Sequence, residues 1–257
     1  MRWFIAILSA LILIAVGPLP EADIYVLGEE HDAPAHHDNQ AAWVRDLGPT
    51  AVVFEMVPPD LGAVATERQG DPAAELGKAL RWEERGWPDF ATYDPIFKAA
   101  AGARIYGAEL DGDSLNAAMT NGAATVADEP SLFGLDEPLP SDQLDARKEL
   151  QDAAHCGLLP KDLLSGMVEA QRLRDAALAG TALSAFAETG GPVVVITGSG
   201  HARSDWGVPA LIRRAAPDLA VISVGQSTAP NPDAPTDIVV ITDPPESRQG
   251  DPCNALR

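Results

Sequence analysis

Positive charge is scarce in this chain of 257 residues: Lys and Arg number 18 against 38 Asp and Glu, a formal net charge of -20 at pH 7. A surface that acidic repels phosphate backbones and anionic headgroups, which removes nucleic-acid binding and attachment to lipid through a basic face. Cysteine is scarcer still, with Cys156 and Cys253 alone. In a reducing compartment these two are small apolar residues; in an exported protein two lone cysteines pair as a disulfide. Long apolar runs are missing except at the start, where Trp3 to Val16 follow a single Arg. That run is too short to cross a bilayer comfortably and has the length of a signal peptide's apolar region. No clear A-x-A site follows it, and Pro18 and Pro20 crowd the positions where one would lie. The stretch also lacks a cysteine for an acyl anchor. Residues 1–22 therefore read as a signal peptide, or as an uncleaved anchor that would tie a periplasmic or exported protein to the inner membrane. Burial as a first strand or helix is the alternative.

What remains is a chain with 46% hydrophobic and 22% charged residues, the composition of a globular protein with a real core. Short Val/Ile-rich runs recur at Asp23–Leu27, Ala51–Phe54, Ala103–Tyr106, Val193–Ile196, Ala220–Val224 and Ile238–Ile241. Continuous apolar runs without alternation predict strands buried on both faces, hence an α/β fold whose mostly parallel sheet is flanked by helices on both faces. Helices are predicted for Pro34–Leu47, Ala73–Glu84, Thr92–Ala101 and Gly207–Ala216. Between Asp111 and Gly190 no strand is legible, and Asp142–Cys156 and Lys161–Phe186 read as helices. The expected organisation is an α/β domain from residues 23–110 and 190–257, with a small all-helical subdomain, 111–189, inserted in it.

Four strand ends carry polar residues at the edge where a parallel sheet places its ligands. The first gives Gly28-Glu29-Glu30-His31, the second Glu55, the third Glu109, the fourth Gly198-Ser199-Gly200-His201. Two share one pattern, strand then G-x-x-H, in which glycine lets the backbone turn sharply. His31, Glu55 and His201 form a candidate site for a divalent metal, and Mn, Fe, Co or Zn would each suit such nitrogen and oxygen ligands. With water activated there, Glu30 or Glu109 would serve as general base, and Arg174 joins them in the catalytic set of a metal-dependent hydrolase. The alternative is that these residues cap helix N-termini. Arg172 and Arg174 sit on an otherwise apolar helix; either they pair with Glu169 or Asp175, or one reaches the sheet edge to hold a carboxylate or propionate. Trp87, Phe90, Tyr93 and Phe97 fall within one short stretch, read as core packing or as an aromatic wall with Tyr93 available to iron.

LGEEHDAPAHHDNQ, VVFEM, RGWPDFATYDPIF, MVEAQRLRDAALA and TGSGHARSDWGVP together resemble the ChaN proteins, haem-binding uptake proteins of the Tiki superfamily. The segments HCGLLP and DPC around the two cysteines resemble that family too, and the likeness runs from about Ile24 to Cys253. It implies an exported protein of haem or iron acquisition with a parallel sheet and a small helical domain. Haem or another small ligand would be the partner, bound at or beside the helical domain or between the two subunits of a homodimer. Tyr93, His37 and His155 are the side chains it offers to iron, and Arg172 is taken with Tyr93 and His37 as cofactor-binding. The wider superfamily includes metal-dependent membrane proteases and relatives of erythromycin esterase. Those share the paired G-x-x-H and the strand-end Glu, matched by Gly28/His31, Gly198/His201 and Glu55.

Overall fold

All six β-rich runs are strands of one sheet. The structure, a computed structural model, describes residues 17–229 and 235–248. The apolar run at 3–16 and Cys253 lie outside the described residues, so neither the signal segment nor the cysteine pairing is placed by it. In chain order the elements are β1 (Ile24–Glu29), α1 (Pro34–Leu47), β2 (Ala51–Phe54), α2 (Gly62–Arg68), α3 (Ala73–Ala79), α4 (Phe90–Ala99), β3 (Arg104–Gly107), α5 (Gly112–Asn121), α6 (Ser141–Ala154), α7 (Leu164–Thr189), β4 (Val193–Gly198), α8 (Val208–Ala215), β5 (Val221–Ser227) and β6 (Ile238–Ile241). No helix among the described residues is long and apolar enough to cross a membrane.

The strands lie in the order β3-β2-β4-β1-β5-β6, and every neighbouring pair is parallel. Parallel neighbours need a crossover between them, and the helices supply it. The register brings the carboxyl ends together: Glu29 of β1 stands opposite Gly198 of β4, and Phe54 of β2 stands opposite Ile196 of β4 and Gly107 of β3. One edge of the sheet thus collects the four polar strand ends. β1 and β4, at the centre, are buried throughout, whereas β6 at the rim alternates between exposed and half-buried residues.

Both faces are covered. On one, Leu27, Val52, Phe54 and Ile196 pack under Trp43 of α1 and Tyr93, Ile96 and Phe97 of α4. Phe54 and Phe97 stack with ring centres 4.2 Å apart. On the other, Val26, Val53, Val193 and Val195 meet Leu178, Ala179, Ala182 and Ala185 of α7 and Val208 and Ile212 of α8. The alanine row lets α7 lie close to the sheet. Burial of each large side chain contributes roughly 1.5–3 kcal/mol. Between β3 and β4 the regular elements are all helices. Of these, α7 packs against α5 and α6 and also against the sheet, so it belongs to both layers.

Local signals fix several helix ends. Pro34 opens α1, and Gly48, left-handed at φ 54, closes it by donating to the Val44 carbonyl. Asp89 caps α4 by accepting from the Ala91 N–H at 2.9 Å. The sequence reading did not find α2 or α5. Both are short, and α5 (GDSLNAAMTN) shows no apolar periodicity.

Candidate functional site

β1 ends on Glu29, and the pleat turns that carboxylate inward, where two groups bond one of its oxygens and a third approaches the other. His31 Nδ1 lies 2.7 Å from Oε1, Tyr93 donates its hydroxyl to the same oxygen at 2.6 Å, and His37 Nε2 approaches Oε2 at 3.5 Å. Burial opposes ionisation of Glu29, but His31 and His37 more than offset it and hold its pKa at about 2. Tyr93, buried beside this carboxylate, has its pKa driven far above the ordinary tyrosine range. His31 gains basicity: burial lowers its pKa, and Glu29 and Glu55 outweigh that.

β2 and β4 supply a second cluster beside it. Glu55 accepts from the Thr197 hydroxyl at 2.6 Å and from the Gly198 N–H at 2.8 Å. His201 stands between two carboxylates, with Nδ1 2.6 Å from Asp175 of α7 and Nε2 3.3 Å from Glu55. Desolvation works against a charged imidazole, yet the two carboxylates raise its pKa to about 10, so His201 is an imidazolium at neutral pH. Glu55 is correspondingly held well below the carboxylate range, with burial opposing and His201 prevailing. Asp175, fully buried and sharing its histidine with Glu55, is raised. The two G-x-x-H turns touch: a Cβ at Gly28 would lie 2.8 Å from the Ala202 Cβ and 2.9 Å from the Ser199 Cα. Gly28 lies inside β1, and glycine is required there by this close contact rather than by a turn.

Above these clusters opens a cavity of about 900 Å3, between the carboxyl edge of the sheet and the helices α6 and α7. His31, Glu55, Glu109 and His201 all line it, together with Glu30, Arg174 and His155. The sheet has therefore gathered the four strand-end residues around one space. Glu109 is held by Arg85 at 2.6 Å and by Trp87 Nε1 at 3.0 Å. Burial, opposed by those two partners, still raises its pKa. Glu30 is occupied by the segment after β5, accepting from Thr228 N–H at 2.9 Å and Oγ1 at 2.8 Å, and it pairs with Arg248. Tyr93 and His37 lie beneath the floor, behind Glu29, and do not line the cavity. Arg172 points to the other side of α7, paired with Glu169 at 2.9 Å and donating to the carbonyls of Gly134, Leu135 and Glu137. Of the aromatic stretch, Trp87 lines the cavity, while Phe90, Tyr93 and Phe97 are core. Among the described residues no group of three or more His, Cys, Asp or Glu side chains is set to hold a metal ion.

The profile of the family described as haem-binding uptake, Tiki superfamily, ChaN matches residues 15–212. The chain belongs to this family. Among solved structures, ChaN of Campylobacter jejuni, described with cofacially bound haem, shares the fold of this ChaN-family chain at a TM-score of 0.64. The two are 22% identical over 86% of this chain and 87% of that one. The type III effector HopBA1 matches at a TM-score of 0.44 and 15% identity, covering 86% and 88% of the two chains. A succinoglycan biosynthesis protein matches at 0.46 and 13%, covering 80% and 66%. No curated protein matches the chain.

Four residues of this ChaN-family site escaped the sequence reading. Glu29 was seen only as a letter in the G-x-x-H motif. Asp175 and Gln171, whose amide lies 3.1 Å from the His201 ring nitrogens, sit one turn apart on α7, and that polar i, i+4 pair on an apolar helix was the available signal. Arg147 of α6, 9% exposed on the cavity wall, gave none in a helix as polar as SDQLDARKELQDAA.

Proposed function

We propose that the chain binds haem in the cavity at the carboxyl edge of the sheet and serves as an exported protein of haem or iron uptake. The observation that carries this reading is the cavity itself, in a chain of the haem-binding uptake family. It is open, and it offers a flat apolar ligand Leu110, Leu115, Leu150, Met167 and Leu178 with Trp87 and Trp206. His155 fits the iron. Its Nδ1 stands 2.7 Å from the Gln151 carbonyl, which fixes the proton on that nitrogen and leaves Nε2 with a free lone pair, the arrangement common to iron- and zinc-binding imidazoles. Bound haem is the cargo, and the iron it carries is what the protein would deliver.

In this proposal Tyr93 and His37 act through Glu29, keeping its carboxylate in place below His31. Export through residues 1–22, with release into the periplasm or retention at the inner membrane, is part of the same proposal. So is the pairing of Cys156 with Cys253, supported by the finding that no cysteine among the described residues is free. A homodimer around haem is carried with it, and sedimentation with and without haemin tests that point.

The hydrolase reading is not favoured. The family is described by haem-binding uptake, and His31, Glu55 and His201 already satisfy one another, Glu29 and Asp175 in charge and hydrogen bonds. The proposal is tested by comparing the haemin complexes of the wild type and His155→Ala. A moved Soret band and weaker binding in the variant are expected; identical spectra would remove His155 as the iron ligand.

A further inference from the structure

Carboxylates outnumber cationic side chains by two to one in this chain, so an arginine facing a cavity without a carboxylate partner calls for an explanation. Two of the cavity's arginines are accounted for: Arg85 pairs with Glu109 at 2.6 Å and Arg203 with Asp205 at 2.8 Å. Arg147 and Arg174 differ. Among the described residues Arg174, half-buried, makes no hydrogen bond or ion pair. Arg147 is 9% exposed and, among the described residues, has no ion pair; its Nη2 reaches the Gln143 side chain at 3.3 Å and the Trp206 carbonyl at 3.5 Å, and its Nε has no partner among them. Its guanidinium lies 5.1 Å from the Trp206 ring centre. Burial and the nearby Arg172 charge, opposed by the fields of Asp175, Asp205 and Glu169, lower its pKa only to about 10, so it stays cationic at neutral pH.

Helical periodicity puts both on one wall. Arg147, Leu150 and Ala154 of α6 and Gln171, Arg174 and Leu178 of α7 follow three- and four-residue spacing, and all line the cavity. Facing them across the space are the carboxylates of the strand ends. Those carboxylates are already paired with His31, His201, Arg85 and Arg248, so the strand ends do not supply the two arginines with partners. A buried guanidinium without a counter-ion is unfavourable unless one arrives with the ligand. The planar fork of arginine matches a carboxylate with two parallel hydrogen bonds, which an ammonium does not.

We propose that Arg147 and Arg174 form a seat on the helical wall for a carboxylate of the cavity's ligand. Its identity as a porphyrin propionate rests on the haem reading above; the anion seat itself does not.

The test uses the full chain and Arg174→Gln, a half-buried position whose replacement leaves the packing of Arg147 on Trp206 intact, with Arg147→Lys as the second variant. Haemin and haemin dimethyl ester are titrated by absorbance, and melting is followed with millimolar glutarate as a haem-independent dicarboxylate. The expected result is that Arg174→Gln weakens haemin binding tenfold or more and leaves the ester within twofold, with Arg147→Lys intermediate. Equal haemin affinity in wild type and both variants would overturn the seat. Where haemin binds, its titration decides; where it does not, glutarate decides. Stabilisation of the wild type and not of Arg174→Gln by glutarate, without haemin binding, upholds the seat and rejects the haem reading. No response to either ligand rejects both.

Discussion

Gly198 leaves to His31 the space its own side chain would fill. A Cβ at Gly198 would lie 3.0 Å from His31 Nε2, so the second G-x-x-H turn receives the histidine of the first. Gly198→Ala is expected to displace His31 by a few tenths of an ångström with little loss of stability. Gly28→Ala is the harsher change, because it meets the Ser199 backbone at 2.9 Å; overpacking of that kind costs about 1–3 kcal/mol. Urea denaturation of the two variants checks the order, and equal stabilities would contradict it.

His201 neutralises two buried carboxylates, Asp175 and Glu55. His201→Ala leaves both without their cation and is expected to destabilise by about 3–5 kcal/mol, read from chemical unfolding. Asp175→Asn keeps the shape and removes one charge. It should lower the His201 pKa from about 10, and an imidazole NMR titration measures the change.

Two shifts of opposite sense bracket the pH range of stability. The His201 pKa is raised, so its contribution is complete below its ordinary value near 6.5 and is lost as pH climbs toward 10. The Glu29 pKa is depressed, so its contribution is complete above its ordinary value near 4.5 and is lost as pH falls toward 2. The melting temperature should be highest between these two ordinary values and decline on both sides. A melting temperature that rises from pH 7 to pH 9 would contradict the assignment of His201.

Tyr93→Phe separates support from ligation. It removes a hydrogen bond of 2.6 Å to an ionised carboxylate, a loss of about 1.5–3 kcal/mol. Because Tyr93 does not line the cavity, haemin affinity should stay within about twofold. A lost or shifted Soret band in this variant would return Tyr93 to the iron.

Much of this was legible in the sequence because strands buried on both faces are written as unbroken Val/Ile runs. VVVI and AVVF read as strands buried on both faces, and both lie inside the sheet with a strand on each side. The convergence of His31, Glu55, Glu109 and His201 followed from parallelism alone, since all the strands deliver their carboxyl ends to one edge. The pleat was the first thing hidden: Glu29 and Glu30 are adjacent letters, yet one faces the buried hub and the other the chain beyond β5. The second was the rotation of α7. Arg172 and Arg174 are two residues apart, about 200° around a helix, so one faces the 134–137 loop and the other the cavity. An apolar helix packed on several sides does not declare which is which. Arg147 was invisible for the opposite reason, since the lone arginine of so polar a helix looks solvated.

The most direct measurement is a haemin titration of the full chain followed in the Soret region. The account predicts a saturable shift with a defined stoichiometry, reversed by a competing haem acceptor. A featureless, non-saturating rise in absorbance, the same as haemin gives with an unrelated acidic protein, would contradict it.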